Sequence, residues 1–310
     1  MAQLHDDEIA VDEALVRRLL HGLSPAYDGL PLRRFASSGS SNALFRLGDD
    51  LLVRVPRQPG GTATIEKEQR WLPSVAPALP VPVPEVVAVG EPAAGYGEKW
   101  SVVRFVEGSV PTLPEPGGPP RHALARDLGA VVRALRDLSV PDGALRDPGL
   151  RWYRAEPLAV LADDLPRVLD ECRTIAPLDL DLDACAAAWD DVIGLPAAHT
   201  ATGPHWLHGD LFAENLLVRD HRLAAVLDFG GLAVGDPTVD LVVAWELLDP
   251  AARSTFREVV EVDDATWAVG RGWALALALM TLPYYWETMP ARCAHRLVMA
   301  RAVLADLSAR

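Results

Sequence analysis

The sequence predicts an α+β fold with two lobes, a small antiparallel-sheet lobe followed by a larger, mainly helical one. Short runs rich in β-branched and aromatic residues are concentrated between Leu32 and Glu107. Beyond Gly108 the apolar residues recur mainly at helical spacing. We therefore predict a first lobe over residues 1–107, which includes a leading helix, and a second lobe over residues 108–310.

Local patterns predict the elements of the first lobe. A helix is predicted within residues 1–25, because the apolar positions of residues 11–20 recur at helical spacing. Residues 48–50, Gly-Asp-Asp, are typical of a hairpin turn between two strands. One helical stretch, around residues 65–72, interrupts the strands. The predicted strands lie at residues 43–47, 51–55 and 100–106.

The second lobe is predicted to begin with a surface loop rich in proline and glycine over residues 111–120. Its clearest helix start is Asp236 followed by Pro237, since an Asp cap before a proline at the first helical position is a strong start signal. We expect a helix from Thr238 to Leu248. Asp236 and Asp240 are interpreted as structural supports of the loop that precedes them, the one around Asp228 to which a metal-binding role is assigned below.

Composition indicates a soluble protein in a reducing compartment. Half of the 310 residues are apolar, enough for a substantial core. The three cysteines have neither the spacing of a disulfide framework nor that of a metal site. The N-terminus lacks a basic-then-apolar signal, and the apolar run of residues 273–283 is too short to span a bilayer. We therefore predict a cytoplasmic monomer or homodimer without a membrane partner.

The charge of the chain bears on its partners. A formal net charge of −14 disfavours nucleic acid as a partner, because binding phosphate backbones requires a basic surface. The same charge would attract a cationic small molecule by long-range steering. The sequence therefore favours a small-molecule partner, and a cationic one among these.

The most informative residues are Asp210, Asn215 and Asp228, each of which adjoins an apolar stretch. Phosphoryl transfer needs little covalent help from a protein, so it rests on positioning the acceptor and on neutralising charge with magnesium. Magnesium takes hard oxygen ligands, and a further carboxylate can accept the proton of an acceptor hydroxyl. We predict that Asn215 and Asp228 bind Mg²⁺ and that Asp210 acts on the hydroxyl.

These residues lie in two motifs, His-Gly-Asp at residues 208–210 and Leu-Asp-Phe-Gly at residues 227–230. With Asn215, the motifs resemble the aminoglycoside phosphotransferase superfamily, the antibiotic kinases with a protein-kinase-like fold. Residues 235–237 and the proline-rich run of residues 80–84 resemble further segments of that family. The resemblance implies a protein-kinase-like arrangement of the two lobes. His208 itself is interpreted as a hydrogen-bonded support of the loop.

The resemblance also implies a site for ATP or GTP in the first lobe. The purine would be bound by backbone groups at the end of the last strand, the carbonyl of Arg104 and the amide of Val106. A Ser- and Gly-rich segment before the hairpin would cover the phosphates, because small residues let backbone amides approach phosphate oxygens. Its predicted contacts are Ser38, Gly39, Ser40, Ser41 and Asn42.

One position departs from the pattern of the family. The family usually carries a lysine on the third strand, paired with a glutamate on the following helix. Arg54 occupies that place here, and Arg57 is a second option. An arginine can still neutralise phosphate and pair bidentately with a carboxylate. Glu68 is the predicted partner, with Glu66 as the alternative.

The motifs and the resemblance together predict a kinase that transfers the γ-phosphoryl group of ATP or GTP to a hydroxyl of an antibiotic. An aminoglycoside-like antibiotic is the favoured acceptor. Alternatives are a macrolide or nucleoside-antibiotic kinase and a kinase of an aminoalcohol, a sugar or homoserine. A nucleotide-binding module without catalysis is disfavoured by the complete set of catalytic and metal-binding residues. Acceptor contacts are predicted on residues 245–246 and on residues 282–287, where aromatic and acidic side chains mix.

Overall fold

A five-stranded antiparallel sheet forms the first lobe. A computed structural model of the chain describes residues 8–35, 41–115 and 117–308. The strand order in the sheet is β1-β2-β3-β5-β4. The strands are β1 (Leu32–Phe35), β2 (Asn42–Leu47), β3 (Leu51–Pro56), β4 (Val86–Gly90) and β5 (Trp100–Arg104).

The predicted hairpin joins β2 to β3. Leu47 pairs with Leu51 across the turn, and Gly48 has a φ of 58°, a conformation that glycine adopts without strain. Helix α1 (Glu13–Leu23) begins at Asp12, whose carboxylate accepts a hydrogen bond from the Leu15 amide at 2.7 Å. The buried face of α1 packs on this sheet to form a small apolar core. The predicted N-terminal helix is therefore present.

Helix α2 (Gly61–Val75) is longer than the stretch predicted around residues 65–72. Its first turn contains no side-chain cap of its own. Instead, Glu98 accepts hydrogen bonds from the amides of Gly60 at 2.9 Å and Thr62 at 2.8 Å. The cap comes from a residue more than thirty positions along the chain, so the local pattern underestimated the helix.

The second lobe is mainly helical, as predicted, and contains two short antiparallel strand pairs. Its core is a large apolar cluster that includes Trp206, Trp245 and Trp273, and it encloses the three cysteines as free thiols. The strand pairs are β6 (His205–Leu207) with β9 (Ala233–Gly235), and β7 (Leu216–Arg219) with β8 (Arg222–Val226). The helices are α3 (His122–Asp137), α4 (Asp142–Leu145), α5 (Leu165–Arg173), α6 (Leu182–Ile193), α7 (Val243–Leu247), α8 (Pro250–Val260), α9 (Asp264–Tyr285) and α10 (Pro290–Ser308).

Helix α9 is long and apolar enough to cross a membrane by length and composition alone. However, 78% of its most apolar window is buried inside the protein. It packs against α5, α6 and α10. These contacts are those of the central helix of a helical lobe, and no other helix of the described residues has comparable length and hydropathy.

The prediction of one helix from Thr238 to Leu248 was wrong. The segment Pro237–Val242 is a 3₁₀-helix, and only α7 continues it as α-helix. Every residue of the 3₁₀ segment is buried, so packing on all sides overrides helix propensity. The predicted start is correct, because Asp236 accepts a hydrogen bond from the Thr238 amide at 2.9 Å.

Candidate active site

The loop between β6 and β7 contains the His-Gly-Asp motif, and the side chain of Asp240 holds it in place. We call it the catalytic loop. The Asp240 carboxylate accepts hydrogen bonds from the amides of His208 at 2.6 Å and Gly209 at 2.8 Å. Asp240 is fully buried, and this burial raises its pKa. His208 donates from Nε2 to the Leu227 carbonyl at 3.0 Å and accepts at Nδ1 from the Asp210 amide at 3.2 Å. His208 thus supports the loop, as the sequence predicted, whereas Asp240 supports this catalytic loop instead of the metal-binding loop for which it was predicted.

Gly209 adopts a left-handed conformation with a φ of 78° at the tightest point of this loop. A Cβ atom there would lie 2.5 Å from the Gly231 carbonyl oxygen and 2.8 Å from the Trp152 ring. Neither neighbour is the free end of a flexible side chain. The position therefore requires glycine for both conformation and space.

We expect Gly209→Ala to destabilise the protein by about 1–3 kcal/mol and to lower turnover, because backbone strain and a clash combine at the loop. Chemical denaturation measures the free energy of unfolding. Gly22→Ala is the matched control, since a Cβ at Gly22 of α1 meets no atom within 4 Å. The control should be neutral or stabilising by about 0.5–1 kcal/mol. Equal stability of the two variants would contradict the account of the loop.

Both carboxylate oxygens of Asp210 are hydrogen-bonded. Oδ1 accepts from Arg154 Nη1 at 2.5 Å, and Oδ2 accepts from Asn215 Nδ2 at 2.9 Å. Burial by itself raises the pKa of Asp210, but the adjacent Arg154 guanidinium more than offsets it, so the pKa lies below its ordinary value. Asp210 is therefore an ionised, oriented carboxylate, and 36% of its side chain is exposed. These are the properties required to orient a hydroxyl and accept its proton.

Asn215 and Asp228 line one cavity between the lobes. The Asn215 amide nitrogen donates to both the backbone and the side chain of Asp210, so its amide oxygen points away from them. Asp228 has a φ of 56° and accepts a hydrogen bond from the Gly230 amide at 3.2 Å. An amide oxygen and a carboxylate are ligands that suit Mg²⁺. In the described part of the chain no group of three His, Cys, Asp or Glu side chains could hold a metal, so phosphate oxygens and water would complete the coordination.

The structure pairs Arg54 with Glu68. The guanidinium donates from Nη1 at 2.7 Å and from Nη2 at 3.2 Å to the two carboxylate oxygens, and both side chains are buried. Nη2 also lies 3.7 Å from Asp228 Oδ1. Burial lowers the pKa of Arg54, but the carboxylates of Glu68 and Asp228 raise it well above its ordinary value. Arg54 is thus a fixed cation at the edge of the cavity.

The two alternatives for this pair lie elsewhere. Arg57 is bound to Glu8 at 3.1 Å. Glu66 is half-exposed and is bound to Lys99 at 3.0 Å. Arg57 lies just beyond the end of β3, and Glu66 and Glu68, two positions apart on α2, point to different sides of the helix. The geometry therefore selects Arg54 and Glu68 among the residues considered.

The cavity that Asn215 and Asp228 line, which we call the donor cavity, has a volume of about 290 Å³. Five predicted nucleotide contacts line it, and Glu68 lies behind one of them, Arg54. Ser38, Gly39 and Ser40 lie outside the described residues. The Val106 amide donates to no backbone or side-chain acceptor of the described residues. The five lining contacts are Ser41, Asn42, Arg54, Arg104 and Val106.

A second cavity of about 330 Å³, which we call the acceptor cavity, lies beside Asp210 and against α9 and α10. Tyr285, from the predicted stretch of residues 282–287, is part of its wall. Its charged lining residues are Arg154, Asp210, Glu214, Asp228, Arg292 and Arg296.

The other predicted acceptor segment, Trp245 and Glu246, does not reach this cavity. Both side chains are fully buried. Glu246 accepts a hydrogen bond from the Ala213 amide at 2.7 Å and binds the Arg296 guanidinium. The prediction was wrong because Trp245 packs in the core against Trp267 and Glu246 supports the catalytic loop through the Ala213 amide.

Sequence reasoning missed the three arginines of the acceptor cavity. Arg154 lies in a short 3₁₀ segment, Tyr153–Ala155, without a recognisable motif. Arg292 and Arg296 lie on α10, where arginine is common. The one available signal was the aromatic pair Trp152-Tyr153 directly before Arg154.

The model of the phosphotransferase enzyme family, known as APH, matches residues 33–273. The chain belongs to this family. The match extends from β1 of the first lobe into α9 of the second, and it includes the catalytic loop and the Leu-Asp-Phe-Gly motif. The resemblance to antibiotic kinases in the sequence is confirmed, and the chain is an enzyme that transfers a phosphoryl group to an alcohol. No curated protein is similar enough to match the chain.

Solved structures of other phosphotransferases are similar to this one over nearly their whole length. The GDP and kanamycin complex of APH(2")-IIia has a TM-score of 0.65 and 18% identity, over 96% of this chain and 97% of that chain. The streptomycin-ATP-APH(2")-IIa ternary complex has a TM-score of 0.61 and 17% identity, over 96% and 99%. The macrolide 2'-phosphotransferase MphH from Brachybacterium faecium has a TM-score of 0.60 and 23% identity, over 94% and 98%. At such low identities the TM-scores establish the fold alone. This fold is the predicted two-lobed, kinase-like one.

Proposed function

We propose that this phosphotransferase moves the γ-phosphoryl group of ATP or GTP to a hydroxyl of a small molecule in the acceptor cavity. The proposal is based on the observation that the donor cavity and the acceptor cavity are adjacent and share lining residues. Asp228 lines both, whereas Asp210 lines only the acceptor cavity. A phosphate bound beside Asp228 would therefore face a hydroxyl held by Asp210.

In this proposal Asp210 orients the acceptor hydroxyl and takes its proton as the new oxygen–phosphorus bond forms. The bond between the γ-phosphorus and the β,γ-bridging oxygen breaks in the same step, and the nucleoside diphosphate leaves. Asn215 and Asp228 hold Mg²⁺, which would neutralise the developing charge on the phosphate oxygens. Arg54 contributes a fixed positive charge beside Asp228, and Glu68 keeps its guanidinium in place.

The remaining predicted contacts bind the nucleotide around this centre. The Arg104 carbonyl and the Val106 amide bind the base at the end of β5, where the Val106 amide has no partner among the described residues. Ser41 and Asn42, at the start of β2, cover the phosphates together with Ser38, Gly39 and Ser40. Both ATP and GTP remain candidate phosphoryl donors, because one of the similar structures contains GDP and another contains ATP.

The nature of the similar proteins supports an antibiotic as acceptor. Their structures contain kanamycin or streptomycin, or belong to a macrolide phosphotransferase. In that case expression of this chain in the cytoplasm of a sensitive bacterium would raise the antibiotic concentration that inhibits growth. A nucleoside antibiotic, an aminoalcohol, a sugar or homoserine would use the same catalytic residues, so an acceptor panel separates these classes.

A coupled assay of nucleotide consumption with ATP and GTP, run against that acceptor panel, tests the function. We expect acceptor-stimulated turnover that requires magnesium. Turnover that is unchanged after removal of divalent cations would contradict the proposal, and so would a failure to bind either nucleotide.

Asp228→Asn is expected to raise the magnesium concentration for half-maximal turnover by about tenfold or more, because the amide retains an oxygen but loses the charge that attracts the cation. A magnesium titration of turnover measures this concentration. Asp163→Asn is the control, since Asp163 is exposed and lies outside both cavities. Equal magnesium requirements of the two variants would remove Asp228 from the metal site.

A further inference from the structure

The acceptor cavity combines three arginines with three carboxylates, and each carboxylate that faces the acceptor is already bound to a guanidinium. Asp210 is bound to Arg154 at 2.5 Å. Glu214 Oε1 is bound to Arg296 at 2.7 Å and lies 3.4 Å from Arg292. The third carboxylate, Asp228, lies 3.7 Å from the Arg54 guanidinium, and like Glu214 it also lines the donor cavity. An ammonium group in the cavity would therefore have to compete with an arginine for each carboxylate.

Arg154 is held rigidly, yet one edge of its guanidinium is open. Nε donates to the Tyr153 hydroxyl at 3.0 Å, and Nη1 donates to the Gly209 carbonyl at 3.0 Å and to Asp210. The guanidinium carbon lies 4.6 Å from the centre of the Trp152 ring and 5.8 Å from that of Phe212. Nη2 donates to no acceptor among the described residues. Such a preorganised cation loses little conformational entropy when it binds an anion.

The three arginines and three carboxylates of the acceptor cavity balance in formal charge, so the cavity does not share the negative charge of the whole chain. The net charge of −14 attracts cations from a distance, but salt screens that attraction beyond about 8 Å at physiological ionic strength. Within the cavity the nearest charges decide, and like charges placed together are repulsive. A molecule with several ammonium groups would lie among three guanidinium groups.

We propose that the acceptor of this enzyme carries an oxyanion, a carboxylate or a phosphate ester, which Arg154 binds beside the reacting hydroxyl, and that the acceptor is not an oligoamine. The proposal rests on the proposed function, since it concerns the substrate class of the same site. It narrows the acceptors to those whose acidic group reaches Arg154 while a hydroxyl lies at Asp210. Among the acceptor classes considered, homoserine meets this condition and an aminoglycoside does not.

The test is a calorimetric titration of the enzyme saturated with Mg²⁺ and a non-hydrolysable triphosphate analogue. Matched compounds that differ in one group are compared at constant ionic strength: glycerol with glycerate and glycerol phosphate, and glucitol with gluconate and glucitol phosphate. Kanamycin and spermidine represent the oligoamines. We expect at least one acid to bind about tenfold more tightly than its neutral counterpart, because a charge-assisted hydrogen bond is gained.

The matched compounds identify the oxyanion. Binding of glycerate and gluconate more tightly than of glycerol and glucitol indicates a carboxylate, and tighter binding of the phosphate esters indicates a phosphate. The proposal is overturned when no oxyanion binds at millimolar concentration, when acid and neutral partners bind equally, or when an oligoamine binds most tightly.

Two variants connect the preference to the residues. Arg154→Gln should abolish the difference between acid and neutral partner, whereas Arg146→Gln, at an exposed arginine outside the acceptor cavity, should leave it unchanged. Thr281→Glu adds a fourth carboxylate to the wall of the acceptor cavity, so it should reduce the difference in affinity between acid and neutral partner. An unchanged preference in folded Arg154→Gln and Thr281→Glu would overturn the assignment to Arg154.

The outcome is separable from that of the proposed function. Nucleotide binding and magnesium-dependent hydrolysis are measured on the same preparations. Transfer to an oligoamine with intact nucleotide binding would overturn the acceptor class and leave the kinase proposal standing. A failure to bind either nucleotide would instead overturn the kinase proposal.

Discussion

Asp210→Ala is expected to lower turnover at least about a hundredfold while nucleotide binding stays intact, because general acid–base groups contribute on the order of 10²–10⁴ to rates. Asp210 does not line the donor cavity, so the nucleotide loses no direct contact. The variant also frees Arg154 and Asn215, whose bonds to Asp210 position the three side chains together. Steady-state kinetics and a nucleotide titration measure the two effects separately.

Asp210→Asn is the sharper variant, because it keeps the size of the side chain and removes the charge. It should lose turnover to a similar extent. Asp163→Ala, at an exposed aspartate outside both cavities, should behave as the unmodified enzyme. Near-normal turnover of Asp210→Asn would show that this carboxylate does not act on the acceptor.

Arg54→Ala is expected to destabilise the protein by about 3–5 kcal/mol, because it leaves the carboxylate of Glu68 buried without its partner. Glu68 is 2% exposed, so an unpaired charge there would be poorly solvated. The variant should also weaken nucleotide binding, since Arg54 lines the donor cavity. Denaturant unfolding and a nucleotide titration give the two quantities.

A double variant distinguishes the effect of Arg54 on stability from its effect on nucleotide binding. Arg54→Met combined with Glu68→Leu removes both charges and keeps apolar volume, so it should be closer in stability to the unmodified protein than Arg54→Ala is. Its nucleotide affinity should nevertheless stay low. A double variant that is less stable than Arg54→Ala, or that binds nucleotide normally, would contradict the role given to Arg54.

Arg57 and Glu66 provide matched controls for this pair. Arg57→Ala breaks a contact with Glu8, and Glu66→Gln breaks a half-exposed contact with Lys99. Neither residue lines the donor cavity. The Glu66 pair is half-exposed, so its loss should cost about 0–1 kcal/mol. The Arg57–Glu8 pair is less buried than the Arg54–Glu68 pair, so its loss should cost less than the loss of that pair. Neither variant should change nucleotide affinity.

Local patterns predicted the features of this enzyme that depend on neighbouring residues. The α1 helix and the β2–β3 hairpin follow from apolar spacing and turn residues, and the Asp236 cap follows from the residue types at a helix start. The catalytic loop and the Leu-Asp-Phe-Gly motif could also be recognised in the sequence, because phosphoryl transfer requires particular side chains at short, regular spacing.

Tertiary contacts decided the features that join distant parts of the chain. Glu98 lengthens α2, burial turns the predicted helix after Asp236 into a 3₁₀ segment, and Glu246 supports the loop instead of facing an acceptor. No spacing rule relates such residues, since their proximity arises only when the chain folds.

The sequence by itself determined the family and the chemistry, because Asp210, Asn215 and Asp228 lie close together along the chain and their types suit one reaction. Only the tertiary structure decided which charges surround the acceptor. Arg154 is more than fifty positions from Asp210, and Arg296 lies on the last helix, yet both lie beside the catalytic loop. Electrostatic interactions depend on distance in space and on burial, and neither can be read from distance along the sequence.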